Sequence, residues 1–267
     1  MFLTDRGKQS SGHIGQVVVE AFVAARAIIS AMDIRPPAQP MQHPSNFIQV
    51  DITDENSVAA AFSRAAVMSG PISACIAVAG WDLSYLPHHS SLCDMPLQQW
   101  QNTNKVNGEG TFLTARAWLK GIRGEVEKGS SQMRNVSLII IGSEAGVFGV
   151  SGNADYASSK AAIQYGLVKS LMRDAVAILP TARVNAIAPG AVHTVQFERE
   201  CADEPEMRWA ESQATVALKQ PVPIEQVAKC CLFLASESWS GSITGQVIQV
   251  DGGKAGRLFW GQDGSSL

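Results

Sequence analysis

Val136-Ser137-Leu138-Ile139-Ile140-Ile141-Gly142-Ser143 decides how this chain folds. A strand with one wet face alternates apolar and polar residues, whereas a strand covered on both faces is apolar at successive positions. The stretch therefore predicts a strand inside a parallel sheet that carries helices on both sides. Short apolar runs at 28–33, 47–51, 72–79, 182–188 and 246–250 read as its neighbours. Amphipathic segments of helical length fill the intervals, at 15–27, 55–68, 97–120, 155–179 and 224–235, with start signals at Asp54 and Pro223. This alternation is that of a doubly wound α/β architecture.

The 267 residues are 46% hydrophobic and 17% charged, which is enough apolar surface for a large core and too much for a disordered segment. No Pro/Gly/Ser-rich linker or internal repeat divides the chain, so it reads as a single domain over 1–267. A net charge of −3 and the lack of any Lys/Arg block argue against nucleic acid as a partner. No apolar run approaches the roughly 18 residues of a membrane span. The opening Met1-Phe2-Leu3-Thr4-Asp5-Arg6 lacks the apolar core of a signal peptide, so the expectation is a cytoplasmic protein with no membrane partner. Cys75, Cys93, Cys201, Cys230 and Cys231 show no metal-ligand spacing and read as reduced core residues. His13, His43, His88, His89 and His193 form no HExxH-type pattern, so no metal is expected, and His88 and His89 read as loop residues. From Tyr156 to Leu179 the helix has little polar surface, which predicts contact with both the sheet and another subunit, as a homodimer or homotetramer.

In such sheets ligands sit beyond the carboxyl ends of the strands. The first candidate there is the turn Asp5-Arg6-Gly7-Lys8-Gln9-Ser10-Ser11-Gly12-His13-Ile14-Gly15. Backbone amides at a helix N-terminus attract a pyrophosphate and missing side chains let it approach, with Gly12 and Ile14 as candidate contacts. Asp33 lies 18 residues beyond Gly15 and closes the second strand, where a carboxylate can accept both ribose hydroxyls of NAD. An ordinary glycine turn and a surface aspartate would look the same.

The second candidate is Tyr156-Ala157-Ser158-Ser159-Lys160, whose spacing puts a phenol and an ammonium on one helical face. A cation favours the phenolate, drawing a group with an ordinary pKa of about 10 toward working pH as an acid/base. Such pairs also arise by chance, so the surroundings decide. Ser143 lies 13 positions upstream, at the carboxyl end of the opening strand. Asn107, in Val106-Asn107-Gly108-Glu109-Gly110, is a mid-helix amide of mediocre helix propensity, which reads either as a site residue or as a solvated surface amide.

With Asn107, Ser143, Tyr156 and Lys160 in this order and spacing, the chain resembles the short-chain dehydrogenase/reductase family, classical type, over almost its whole length. Asp51-Ile52, Ala79-Gly80, Asn185-Ala186-Ile187-Ala188-Pro189-Gly190-Ala191-Val192-His193-Thr194 and Val250-Asp251-Gly252-Gly253 also match the family. The resemblance implies a Rossmann-like sheet and an NAD(P)-dependent oxidoreductase that interconverts a secondary alcohol and a ketone on a small-molecule substrate. It implies that Tyr156 exchanges the hydroxyl proton and that Lys160 lowers its pKa and binds the nicotinamide ribose. Ser143 would hold the substrate oxygen, and Asn107 would anchor a proton-relay water. Asp51 and Ile52 would flank the adenine, Ala79 and Gly80 the adenosine ribose, and Pro189, Gly190, Val192 and Thr194 the nicotinamide. Asp33 favours NAD because its carboxylate repels a 2'-phosphate, while Arg35 leaves NADP open.

Several positions depart from the family pattern. Thr4 is followed by Asp5 instead of glycine, an extra residue precedes Gly12, and His13 stands where glycine is usual, so Arg6 or Lys8 would have to offset Asp5. Only three residues precede Thr4, which a start downstream of the natural one would explain. Ala77-Val78-Ala79-Gly80 replaces the usual Asn-Asn-Ala-Gly. Residues 195–220 are expected to cover the substrate, and Phe197, Met207 and Trp209 with Trp81, Phe148 and Val150 to line an apolar pocket. That suits a medium-sized, largely apolar substrate, larger than a small polyol or hydroxy acid, on a ring or secondary-metabolite-like skeleton. Glu144 and His193 read as exposed loop residues, and 254–267, with Phe259 and Trp260, as a tail that either crosses a subunit interface or is partly ordered. The other function classes are a non-redox cyclase or isomerase on this scaffold and a dinucleotide-binding regulatory protein.

Overall fold

The computed structural model describes residues 2–3, 13–36, 45–129 and 133–265. Gly12 and the turn from Asp5 to Ser11 lie outside these residues. The strands are β1 (Phe2–Leu3), β2 (Ile29–Asp33), β3 (Ser45–Gln49), β4 (Ala74–Ala77), β5 (Ser137–Ile141), β6 (Arg183–Pro189), β7 (Val192–His193), β8 (Val222–Pro223) and β9 (Val247–Val250). The helices are α1 (His13–Ala24), α2 (Glu55–Ser69), α3 (Leu97–Asn104), α4 (Thr111–Glu127), α5 (Ala145–Phe148) and α6 (Ala154–Ala161). They continue with α7 (Val168–Ile178), α8 (Val195–Asp203), α9 (Pro205–Ser212), α10 (Ile224–Ala235) and α11 (Glu237–Ser240).

Seven strands form one sheet in the order β3-β2-β1-β4-β5-β6-β9, every neighbouring pair parallel. The chain winds outward from β1 through β2 and β3, then in the opposite direction from β4, so the switch point lies between β1 and β4. This is the expected doubly wound, Rossmann-like fold. Strands β7 and β8 form a separate parallel pair, Val192 facing Val222.

The opening stretch shows why its residues are apolar in succession. Leu138 and Ile140 of β5 pack with Trp118 and Ile122 of α4 and Leu171 of α7. Ile139 and Ile141 face the other way, into a cluster with Val18 and Phe22 of α1 and Val227 and Leu234 of α10. Each such buried aliphatic side chain contributes about 2 kcal/mol. Strand β6 is buried along its whole length despite Arg183 and Asn185. Arg183 donates to the carbonyls of Leu234 (2.6 Å) and Ala235 (3.0 Å), which the end of α10 leaves without intrahelical donors. Asn185 accepts from the N–H of Gln246 (3.0 Å) and donates to the carbonyl of Ile243 (2.8 Å), which sets β9 against β6.

Some sequence expectations shift. Helix α1 stops at Ala24, and Arg26 turns the chain with φ 62°. The segments expected as single helices at 97–120 and 155–179 each contain a π-helical turn, Lys105–Gly110 between α3 and α4 and Ala162–Leu167 between α6 and α7. Of the cysteines, Cys75, Cys201 and Cys231 are buried, Cys230 is half-buried and Cys93 is exposed. Cys93 sits in a surface 3-10 turn capped by Ser91, where the apolar-core reading fails. The tail docks on its own chain: the N–H groups of Ala255 and Phe259 donate to Thr215 and Ala214, and Trp260 Nε1 donates to the Val216 carbonyl (3.0 Å). Among the described residues no helix is long and apolar enough to cross a membrane.

Candidate active site

A cavity of about 1080 Å³ opens at the carboxyl ends of the strands. Its wall contains Ser143, Tyr156 and Lys160, together with Ile14, Gly80, Pro189, Gly190, Val192 and Thr194 of the expected cofactor set. Asp33, Asp51, Ile52, Ala79 and Asn107 are not part of that wall and lie behind it or along the neighbouring strand ends.

The side chains are brought together by the close approach of α6 and the following π-helical turn to the end of β5. A Cβ on Gly142 would lie 2.1 Å from Gln164 Oε1, and one on Gly146 would lie 2.8 Å from the Ala161 N–H nitrogen. Both positions have room for hydrogen only. Gln164, fully buried in the π-helical turn, accepts from the backbone N–H of Ser143 (2.9 Å), and the Ser143 hydroxyl accepts from the N–H of Ala145 (3.1 Å). Nothing in the sequence reading singled out Gln164; a lone amide amid Ile163, Leu167 and Val168 was the available signal.

Tyr156 and Lys160 are buried, 9% and 5% exposed, so their charges are little screened by water. Lys160 Nζ lies 5.6 Å from the centroid of the Tyr156 ring and donates to the Ile141 carbonyl at the end of β5 (3.1 Å). Asn107 sits in the first π-helical turn and is 1% exposed, which excludes the solvated-amide alternative. Its Oδ1 accepts from the Trp81 N–H (2.7 Å) and its Nδ2 donates to Ser159 Oγ (3.0 Å), tying the loop after β4 to α6. A Cβ on Gly80 would meet Asn107 Oδ1 at 3.0 Å and Lys160 Nζ at 3.4 Å, so Asn107, Gly80 and Lys160 form one packed group.

On the other candidate half, Asp33 is buried at the end of β2 and its Oδ1 accepts from the Arg35 N–H (3.0 Å). Asp51 accepts from Thr53 N (2.9 Å) and Oγ1 (2.7 Å), and its own N–H donates to Ser57 Oγ (3.0 Å). Ile52 is buried against Gly110, where a Cβ would be only 2.6 Å from its Cδ1.

The substrate side differs from expectation. Phe148, Val150, Phe197 and Met207 line the cavity, but Trp81 and Trp209 are not in its wall. Six carboxylates besides Glu144 share it: Asp82, Glu200, Asp203, Glu204, Glu206 and Glu211. Helices α8 and α9 form much of this wall. Thr194 Oγ1 caps α8 by accepting from Phe197 N (3.1 Å), and Glu198 joins His193 (2.6 Å) to Arg208 (2.5 Å). Arg208, then His193, hold the Glu198 carboxyl below its ordinary range.

Glu144 is the clearest correction. It is 9% exposed, not a surface loop residue, because its N–H donates to the Pro189 carbonyl (2.8 Å) and draws it between the ends of β5 and β6. Its Oε1 pairs with Lys254 Nζ at 2.5 Å, while Oε2 has no hydrogen-bond partner. Burial pushes the Glu144 carboxyl up to about 7, against the opposing pull of Lys254. Lys254, 110 residues away in sequence, gave no signal. His193 is exposed, as expected.

A family model described as enoyl-(acyl carrier protein) reductase matches residues 8–255. The chain is 30% identical over 246 residues to cis-4-hydroxycyclohexanecarboxylate dehydrogenase of Sinomonas cyclohexanicum, covering 90% of this chain and 84% of that protein. It is 28% identical to the 3-oxoacyl-[acyl-carrier-protein] reductase of Thermotoga maritima over 204 residues, 76% of this chain and 74% of the relative. Its fold matches ligand-free aldohexose dehydrogenase of Thermoplasma acidophilum with a TM-score of 0.76 at 21% identity, over 94% of this chain and 92% of that one.

Two outcomes follow from this geometry. Gly142→Ala should destabilise the fold by about 3 kcal/mol in denaturant unfolding, since Gln164 must leave its bond to Ser143 to admit the methyl; a loss below about 0.5 kcal/mol would mean that the approach relaxes freely. Because the folded Glu144 holds its proton up to about 7 and the unfolded carboxyl only to about 4.5, ionising it costs stability as pH rises between these values. Measured from pH 5 to 8, the melting temperature of Glu144→Gln relative to the native protein should therefore rise with pH. A difference that stays flat would show that Lys254 keeps Glu144 charged throughout.

Proposed function

The chain belongs to the short-chain dehydrogenase/reductase family, and from that premise we propose that it interconverts a secondary alcohol and a ketone with NAD as the preferred dinucleotide. Oxidoreductase chemistry on CH–OH groups comes with the family; the substrate, the coenzyme and the residue roles are this reading. What carries it is one observation: Ser143, Tyr156 and Lys160 line a single cavity, with Lys160 held by the end of β5 at 5.6 Å from the phenol ring.

The residues present fit a nicotinamide dinucleotide. A side chain at Gly80 would press on Asn107 and Lys160, and the bare backbone there is what a bound ribose would meet. Gly190 and Thr194 line the same space, and Asp33 holds a carboxylate at the end of β2 for the ribose hydroxyls of the adenosine half. Gly80 with Ala79, and Asp51 with Ile52, would border the adenosine, while Ile14 at the start of α1 and Pro189, Gly190, Val192 and Thr194 would border the phosphates and nicotinamide.

When bound, the dinucleotide supplies the hydride donor or acceptor. Tyr156 takes the proton of the alcohol during oxidation and returns it during reduction. Lys160, held by a neutral carbonyl dipole in a dry site, favours the phenolate and binds the nearby ribose. Ser143 donates its hydroxyl hydrogen to the substrate oxygen, where charge develops. Asn107, already locked to Trp81 and Ser159, anchors behind Lys160 the water through which the proton leaves. The wall of Phe148, Val150, Phe197 and Met207 suits a medium-sized cyclic substrate. Exposed Phe112 on α4, Tyr165 in the second π-helical turn and Val176 on α7 support a homodimer or homotetramer.

Absorbance at the nicotinamide band with a panel of cyclic alcohols, and coenzyme binding by fluorescence, test this. Tyr156→Phe should lower hydride transfer by about 10³-fold while NADH still binds; undiminished transfer would remove the mechanism. Asp33→Ala should weaken NAD and relax its preference over NADP by about tenfold. An unchanged preference would mean that another residue reads the ribose.

A further inference from the structure

We propose that Lys254, held by Glu144 beside Ser143, binds a second, non-reacting oxygen of an uncharged, polyoxygenated ring substrate. This deepens the oxidoreductase reading and rests on it. Both residues line the cavity, and Glu144 directly follows Ser143 in the chain. The Lys254 side chain is 16% exposed and that of Glu144 is 12% exposed, so the pair is mostly buried in the wall and only part of it meets the cavity.

The hydrogen bonds of the pair are incomplete. An ammonium offers three donors, and Lys254 spends one on Glu144 Oε1. Glu144 Oε2 accepts from nothing, but it is sealed in against Gly190, so the open hydrogen-bonding capacity of the pair is that of Lys254. The remaining ammonium donors call for a neutral acceptor such as a hydroxyl oxygen. Replacing a buried pair by apolar side chains of like volume is commonly neutral or stabilising, so fold stability alone gives no reason for it.

The surroundings select against other ligands. A carboxylate brought to Lys254 would face Glu144, and Glu211 and Asp251 are near enough to oppose a further negative charge there. It would also pass the carboxylates contributed by α8 and α9, which only Lys160 and Lys254 offset among the described Lys and Arg residues of the wall. A wholly apolar ligand would strip both charged groups of water and return no hydrogen bond. A neutral ring with hydroxyls suits both parts of the wall: its carbons meet Phe148 and Phe197, and one oxygen meets Lys254.

The test compares, at pH 8 where Glu144 is ionised, cyclohexanol, the 1,2-, 1,3- and 1,4-cyclohexanediols and 4-hydroxycyclohexanecarboxylate, by kcat/KM with NAD and by thermal shift of the NAD-loaded protein. At least one diol should exceed cyclohexanol by about 10- to 100-fold, the worth of one hydrogen bond from a charged donor, and the carboxylate should not. In Lys254→Met the ratio of diol to cyclohexanol should fall to near 1. Glu144→Gln leaves the lysine uncompensated and should move selectivity toward the carboxylate by about tenfold. Preference of the native protein for the carboxylate, or a diol ratio that Lys254→Met leaves intact, would overturn the proposal. Thermal shifts keep it testable if turnover fails: diol stabilisation lost in Lys254→Met supports it, and equal shifts from diol and cyclohexanol overturn it. Absence of hydride transfer to every alcohol would count against the oxidoreductase reading instead.

Discussion

The end of β5 has no space for a side chain at Gly142, because Gln164 reaches across from the π-helical turn to hold the next residue's backbone. The rest of the candidate site is built on that contact. It fixes the strand end from which Ser143 projects, and it presses α6 against the same strand, so that Lys160 finds the Ile141 carbonyl and Tyr156 faces the cavity. Gly146 repeats the device one turn further along. A hydroxyl, a phenol and an ammonium from two elements converge because two glycines and one buried amide let the elements touch.

Two lysines meet that cavity in different electrical states. Lys160 donates to a backbone carbonyl and lies over the face of the Tyr156 ring. Lys254, once Glu144 is ionised, is neutralised by it and offers directed hydrogen bonds more than net charge. The first arrangement suits holding a phenolate, the second suits reading a neutral polar group.

The fold was legible where a residue's neighbours in sequence determine its surroundings. Leu138 to Ile141 announce a strand covered on both faces, and the spacing from Tyr156 to Lys160 announces a shared helical face. What depended on distant packing was not legible. At the π-helical turns Lys105–Gly110 and Ala162–Leu167, Asn107, Gly108, Gly110 and Gly166 weaken a helix locally, but such residues do not specify the wider turn. Glu144 looks like a loop carboxylate until Pro189 draws it inward and Lys254 arrives from the far end of the chain. Cys93 erred the other way, an apolar residue type in a surface turn. Asp33 was placed correctly at a strand end, yet the turn that would face it across a dinucleotide, Asp5 to Gly12, departs from the family pattern.

Lys254 also belongs to a second structure. Its backbone bridges to Val216, just beyond α9, while Trp260 hydrogen-bonds the same residue's carbonyl. At the other end of this arm, Val192 is paired with Val222. Helices α8 and α9 are thus moored at both ends like a strap with two buckles, and Val192 in one and Lys254 in the other both line the cavity. Because the Lys254 backbone is bridged to the end of that arm while its side chain lines the cavity, the place of the ammonium is tied to the seating of α9.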